Sequence, residues 1–98
     1  MPAPIYLGDE LGAAGYRLAG VQTRTPTATE ATAALADACA RAPLVLVSAS
    51  VAAQVAATAL QRALAATTPL VLVVPDIKAD TPLPDLAARL RAQLGFEA

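Results

Sequence analysis

Two uninterrupted aliphatic runs, Leu44-Val45-Leu46-Val47 and Leu70-Val71-Leu72-Val73-Val74, constrain the fold of this chain more than any other feature. Each is entered from a proline, Pro43 or Pro69, and neither alternates with polar residues. Runs this short suit strands rather than helices, and their continuous apolar character suits central strands covered by helices on both faces. Two weaker runs accompany them. Ile5-Tyr6-Leu7 is bounded by Pro4 and Gly8, and Val21-Gln22-Thr23 is polar enough for an edge strand. Alanine-rich stretches alternate with the four runs, which is the pattern of βαβ units around a parallel sheet.

The intervening stretches carry helix punctuation. Asp9 is placed to cap a first helix that ends with Arg17 in its last turn and Gly20 beyond it, although Gly12 and Gly15 weaken its interior. A second helix opens on the capping box Thr27-x-x-Glu30 and stacks Ala31, Leu35, Ala38 and Cys39 at helical spacing. Ser50 is expected to cap a third helix. It places Val51, Val55 and Ala59 on one face and continues through Leu60 and Leu64 to Thr67-Thr68-Pro69. After Val74 comes a polar connector containing Pro75, Asp76, Lys78 and Pro82. Beyond it Leu83, Leu86, Ala87, Leu90 and Leu94 form an i, i+3/i+4 stripe, with Gly95 as a stop, so a C-terminal helix is expected over residues 81–94. Few packed contacts should restrain a helix joined in this way, so it is expected either to be the most mobile element or to dock permanently as a fourth helix of the doubly wound fold.

Right-handed crossovers then give the strand order 2-1-3-4. The expected fold is α/β: a small doubly wound, flavodoxin- or receiver-like four-stranded parallel sheet with helices on both faces and a C-terminal helix after the proline-containing connector. With 98 residues there is room for one domain. Its sheet core is expected in residues 1–75, and the connector and last helix in residues 76–98. Strands 1 and 3 straddle the switch point, where their carboxyl ends carry Gly8-Asp9 and Ser48-Ala49-Ser50.

Several function classes are disfavoured by composition. Seven Lys and Arg against eight Asp and Glu provide no basic field for nucleic acid, and two Tyr and one Phe make a poor stacking surface. The absence of histidine removes the usual metal and general-base chemistry, and one cysteine permits no internal disulfide, which fits a reducing cytoplasm. Met1-Pro2-Ala3-Pro4 lacks the pattern of a signal peptide, so export is not expected. Residues 42–60 are long enough to span a bilayer, yet they include Pro43, Ser48, Ser50, Gln54 and Thr58 and change period midway. No membrane insertion is expected.

Three chemistries are conceivable at the switch point. Gly8-Asp9-Glu10-Leu11-Gly12 lacks dinucleotide-binding glycine spacing, and its carboxylates would repel a pyrophosphate. A phospho-accepting receiver would use Asp9 and Glu10 but needs an acceptor aspartate where Ser48 stands, which leaves Lys78 nothing to stabilise. Cys39, Ser48 and Ser50 have no histidine to activate them as nucleophiles. The residues therefore suggest no catalytic group, cofactor or metal. The alternative is a free-standing receiver-like or small-molecule-binding domain that uses the crevice between strands 1 and 3.

The first twenty residues narrow the reading. Tyr6-Leu7-Gly8-Asp9-Glu10, followed by Gly15-Tyr16-Arg17-Leu18-Ala19-Gly20-Val21, resembles the opening of the F subunit of V/A-type ATPases. That family begins with a short strand ending in Gly-Asp and continues through a helix ending in an aromatic-Arg-Leu-x-Gly run. Gly8, Asp9, Tyr16, Arg17, Leu18 and Gly20 match it residue by residue. The resemblance implies a non-catalytic central-stalk component in the cytoplasm, peripheral to the membrane, which binds the helical hairpin of the rotor's D subunit inside the A/B catalytic ring. ATP turnover and proton or sodium transport would belong to the whole complex. Residues expected at the partner interface are Tyr16, Arg17, Leu86, Arg89, Leu90, Arg91 and Leu94.

Overall fold

Strands β1 (Ile5–Leu7), β2 (Gln22–Arg24), β3 (Leu44–Ser48) and β4 (Leu70–Val74) form one all-parallel sheet in the order β2-β1-β3-β4. The computed structural model describes residues 3–76, so the expected C-terminal helix, with Leu86, Arg89, Leu90, Arg91 and Leu94, lies outside the described residues. Ile5 is level with Gln22 on one side and Val45 on the other, and Val45 is level with Val71. This is the expected small flavodoxin-like α/β fold.

The two central strands feed both faces of the sheet. Ile5, Leu7, Val45 and Val47 enter a core with Ala31, Leu35 and Ala38 of helix α2 (Ala31–Arg41), Val51 and Ala52 of helix α3 (Ala49–Ala52), and Val55. Helix α4 (Ala57–Ala65) contributes Ala59, Leu60 and Ala63 at its margin. On the opposite face, Tyr6 and Leu46 pack with Ala13 and Tyr16 of helix α1 (Glu10–Leu18) and with Ala19 and Val21.

The ends of α1 follow its sequence closely. The Asp9 carboxylate accepts from the Gly12 amide at 2.8 Å, which satisfies one orphan donor of the first turn. At the other end Gly20 adopts φ 95°. Its amide donates to Arg17 O, and that of Val21 donates to Tyr16 O, the paired bonds of a Schellman motif. Val21 is thereby buried in the helix stop, and the strand begins one residue later than the polarity pattern suggested. The Thr27-x-x-Glu30 box also forms, with Glu30 accepting from the Thr27 amide at 3.0 Å. Its turn, Ala28–Glu30, is a 3₁₀ turn that leads into α2.

The expected third helix differs in two respects. Its cap is Ser48, whose hydroxyl accepts from the Val51 amide at 3.2 Å; Ser50 lies within the helix. The strand runs one residue further than its aliphatic letters, so helix geometry begins immediately after Ser48. Nor is the helix continuous. Gln54 and Val55 donate to Val51 O and Ala52 O, closing tight turns, and the Ala56 amide donates to Thr32 Oγ1 of α2 at 3.0 Å. That cross-helix bond holds the break between α3 and α4, a tertiary contact that helical periodicity cannot report.

Strand β4 lies at the sheet edge, as the expected order 2-1-3-4 requires. It departs from expectation in burial, because its aliphatic letters suggested cover on both faces. Val71 is buried, whereas Leu70, Leu72 and Val73 are 46, 45 and 43 % exposed.

Gly12 and Gly15, read as weaknesses in α1, are both buried against the sheet. A Cβ at Gly12 would stand 2.2 Å from Tyr6 Oη and 3.0 Å from its Cζ. One at Gly8 would stand 2.1 Å from Oη and 2.3 Å from Cζ. Gly8 and Gly12 thus leave the space that the end of the Tyr6 ring fills. Gly→Ala in a helix interior normally stabilises by about 1 kcal/mol; Gly12→Ala is expected instead to destabilise by about 1–3 kcal/mol through overpacking. In a Tyr6→Phe background most of that loss should disappear. Gly8→Ala should not be rescued, because the ring carbon itself is in the way. Urea unfolding of the single and double variants measures this, and a stabilising Gly12→Ala in the parent would refute it.

Candidate functional site

In an open parallel sheet, ligands bind beyond the carboxyl ends of the strands, where the order reverses. Here β1 and β3 leave the sheet toward opposite layers, so that edge is built from Gly8-Asp9 after β1, Ser48 and Ser50 after β3, and Asp76 after β4. The register brings them together, since Leu7 pairs with Val47 and Ser48 with Val74.

Much of the polar chemistry at this edge is used within the fold. Asp9 is engaged with the Gly12 amide, and Ser48, fully buried, with the Val51 amide. The Ser50 hydroxyl donates to Asp76 Oδ1 at 2.7 Å, and its amide approaches the same oxygen at 3.3 Å. Asp76, which reads in sequence as part of a polar connector, therefore ties the exit of β4 to the first turn of α3. The Ser50–Asp76 pair has no imidazole beside it, the group that usually mediates proton transfer between a serine hydroxyl and a carboxylate.

Beneath the edge sits Tyr6. Its ring is stacked on Tyr16, centroids 4.0 Å apart and planes 17° from parallel, and its buried hydroxyl has no well-formed hydrogen bond among the described residues. Burial, with the nearby Asp9 charge, raises the Tyr6 pKa well above its ordinary value of 10.0, and burial raises that of Tyr16 as well. Both phenols stay neutral in the fold at physiological pH. Of the residues marked by the family resemblance, Gly8 and Tyr16 enclose or contact this ring, Asp9 caps the helix that passes over it, and Gly20 ends the helix that carries Tyr16. Arg17 and Leu18 lie outside, exposed, with the Arg17 guanidinium donating to Thr23 Oγ1 at 3.1 Å. Sequence reasoning missed the Tyr6–Tyr16 stack, although two tyrosines near paired glycines were its visible trace.

Two further features complete the inventory. Asp37 on α2 receives Arg24 from β2 and Arg41 from its own helix, and these donors lower its pKa below the usual carboxylate range. A cleft of about 300 Å³ separates α2 from α4, lined mainly by Leu35, Cys39, Ala59, Ala63 and Val71, with Arg62 on its lining. Burial raises the Cys39 pKa, which disfavours its thiolate. Among the described residues no cluster of His, Cys, Asp and Glu could hold a metal, and no helix is long and apolar enough to cross a membrane.

The folded chain keeps its tyrosine protons at pH values where the unfolded chain releases them. Stability should therefore be full below about pH 10 and fall as pH rises beyond it. Tyr6→Phe should flatten this alkaline decline in urea midpoints measured from pH 8 to 11; an unchanged slope would contradict it. Calorimetry with ATP should detect no micromolar binding, because Asp9, Glu10 and Asp76 lie where phosphate requires amides and cations. Micromolar affinity that depends on Asp9 would overturn that reading.

No protein-family model matches the chain, and no significant match is found among curated proteins.

Proposed function

We propose that this chain is a non-catalytic rotor component, the F subunit of the central stalk of a V/A-type rotary ATPase. In that role it binds the helical hairpin of the D subunit and couples or regulates ATP turnover and proton or sodium transport by the complex. The carrying observation is that Gly8-Asp9 and Tyr16-Arg17-Leu18-x-Gly20 belong to one structural unit. Gly8 clears the Tyr6 ring, Asp9 starts α1, Tyr16 stacks on Tyr6, and Gly20 stops the helix. Arg17 and Leu18 are consequently held on the surface at the end of a fixed helix. Leu18 is 50 % exposed, an apolar group beside a cation, and suits contact with a partner helix.

The internally bonded carboxyl edge supports a binding role over a catalytic one. Tyr16, expected at the partner interface, is instead buried on Tyr6, so partner contacts then fall to surfaces: Arg17, with Leu18 beside it in place of Tyr16, and Leu86, Arg89, Leu90, Arg91 and Leu94 outside the described residues. Work by the protein would be mechanical. A small rigid sheet, clamped to a rotating shaft, transmits its orientation without chemistry of its own.

Co-expression with the D subunit from the same cell tests this reading. A stoichiometric complex is expected to survive size exclusion, and failure to bind that hairpin would refute the assignment. Arg17→Ala should cost only about 0.3–1 kcal/mol of stability through the lost helix-end interaction. It should weaken the complex by more than tenfold if the guanidinium faces the hairpin. Equal small effects on both would move the interface away from α1.

A further inference from the structure

The outer edge of β4 is a strand-pairing surface, and we infer that in the isolated chain it pairs with β4 of a second copy across a two-fold axis. This goes beyond the assignment above and does not depend on it. Five aliphatic residues occupy the edge without a charge or bulge to blunt it, the arrangement that invites another strand. Leu70, Leu72 and Val73 are exposed there on both faces of the strand, so neither helical layer among the described residues closes over it.

Backbone direction fixes which groups are on offer. The Leu70 amide donates to Pro43 O at 2.9 Å and therefore points into the sheet, as do the backbone groups of Leu72 and Val74 two and four residues on. The amides and carbonyls of Val71 and Val73 point outward. Pro69 and Pro75 share that outward phase and have no N–H to give, so they bound the usable ladder at both ends.

These constraints select one antiparallel register, centred on Leu72. Val71 of one copy faces Val73 of the other, and the two exchange both backbone hydrogen bonds; symmetry repeats the exchange. Leu72 faces Leu72 of the second copy in a pair without hydrogen bonds, where side chains approach closely. Leu70 faces Val74, so each exposed aliphatic group gains an aliphatic neighbour. Pro69 faces Pro75, and Asp76 faces Thr68, so the two Asp76 carboxylates stay apart. A five-residue ladder buries less than the roughly 1,200 Å² of a standard stable interface, so the association is weak and concentration-dependent.

Sedimentation equilibrium of the full chain from about 10 μM to 1 mM should show a reversible monomer–dimer equilibrium. Leu72→Lys sets two ammonium groups against each other at the axis and should weaken association at least tenfold, with the far-UV CD spectrum unchanged because Leu72 is half exposed in the monomer. Register is tested by oxidation in a Cys39→Ala background. Leu72→Cys should cross-link to its symmetry mate, since a facing Cα separation of about 4.5 Å falls within disulfide range. Leu70→Cys, facing Val74, should not. A monomer at every concentration, a dimer indifferent to Leu72→Lys, or equal cross-linking at both positions would each overturn the inference.

Discussion

The stack of Tyr6 on Tyr16 is the contact around which one half of the molecule is arranged. A tyrosine at the middle of a central strand, fully buried, is wide for the space between a sheet and a helix. The space exists because Gly8 and Gly12 have no Cβ, and it is held by Asp9, which starts the helix at the level where Gly12 passes over the ring. Tyr16 closes the other side one turn further on. The cost is visible at the phenol oxygen, which is buried with no well-formed hydrogen bond among the described residues and only the Ser48 side chain to offset the burial. Packing of the two rings and their apolar surroundings has to outweigh it. A Gly-Asp turn of this kind is easily mistaken for a phosphate loop, yet its glycines are accounted for by a side chain of the same protein.

The opposite layer is built differently. Alanine and valine supply most of its contacts, so helices α2 and α3 approach the sheet through small side chains, and only Leu35 among the buried residues of these helices is large. Directional bonds compensate for the small volumes. Thr32 receives the Ala56 amide, Ser48 receives Val51, and Asp76 receives Ser50. Charges contribute at the periphery, where Asp37 gathers Arg24 and Arg41; such exposed pairs are screened by solvent and add little to stability.

Much of this architecture was legible in the letters. The aliphatic runs located β3 and β4, the prolines before them gave their starts, and the handedness of crossovers gave the strand order. Asp9, Thr27-x-x-Glu30 and Gly20 act as the caps and stops their chemistry suggests. What escaped notice depends on contacts distant in sequence. The α3–α4 break is held by Thr32, 24 residues away, and the Ser50–Asp76 bond spans 26 residues. Nor can an aliphatic run distinguish a central strand from an edge one, because both require the same letters on the covered face. At the carboxyl edge Asp9 and Ser48 are engaged as caps, but Ser48 takes the place expected of Ser50 because the strand runs one residue longer than its apolar pattern.

The interruption between α3 and α4 divides the domain's stability unevenly. Val51, Ala52 and Val55 are anchored in the core, while α4 has no buried residue and lies only against its margin. Lifting α4 away would expose little apolar surface, whereas lifting α3 would open the centre of the sheet. The helical layer thus has a segment anchored in the core and one at its margin, joined at the Ala56 amide. A rearrangement on this side of the molecule that began at α4 would therefore disturb fewer buried residues than one that began at α3.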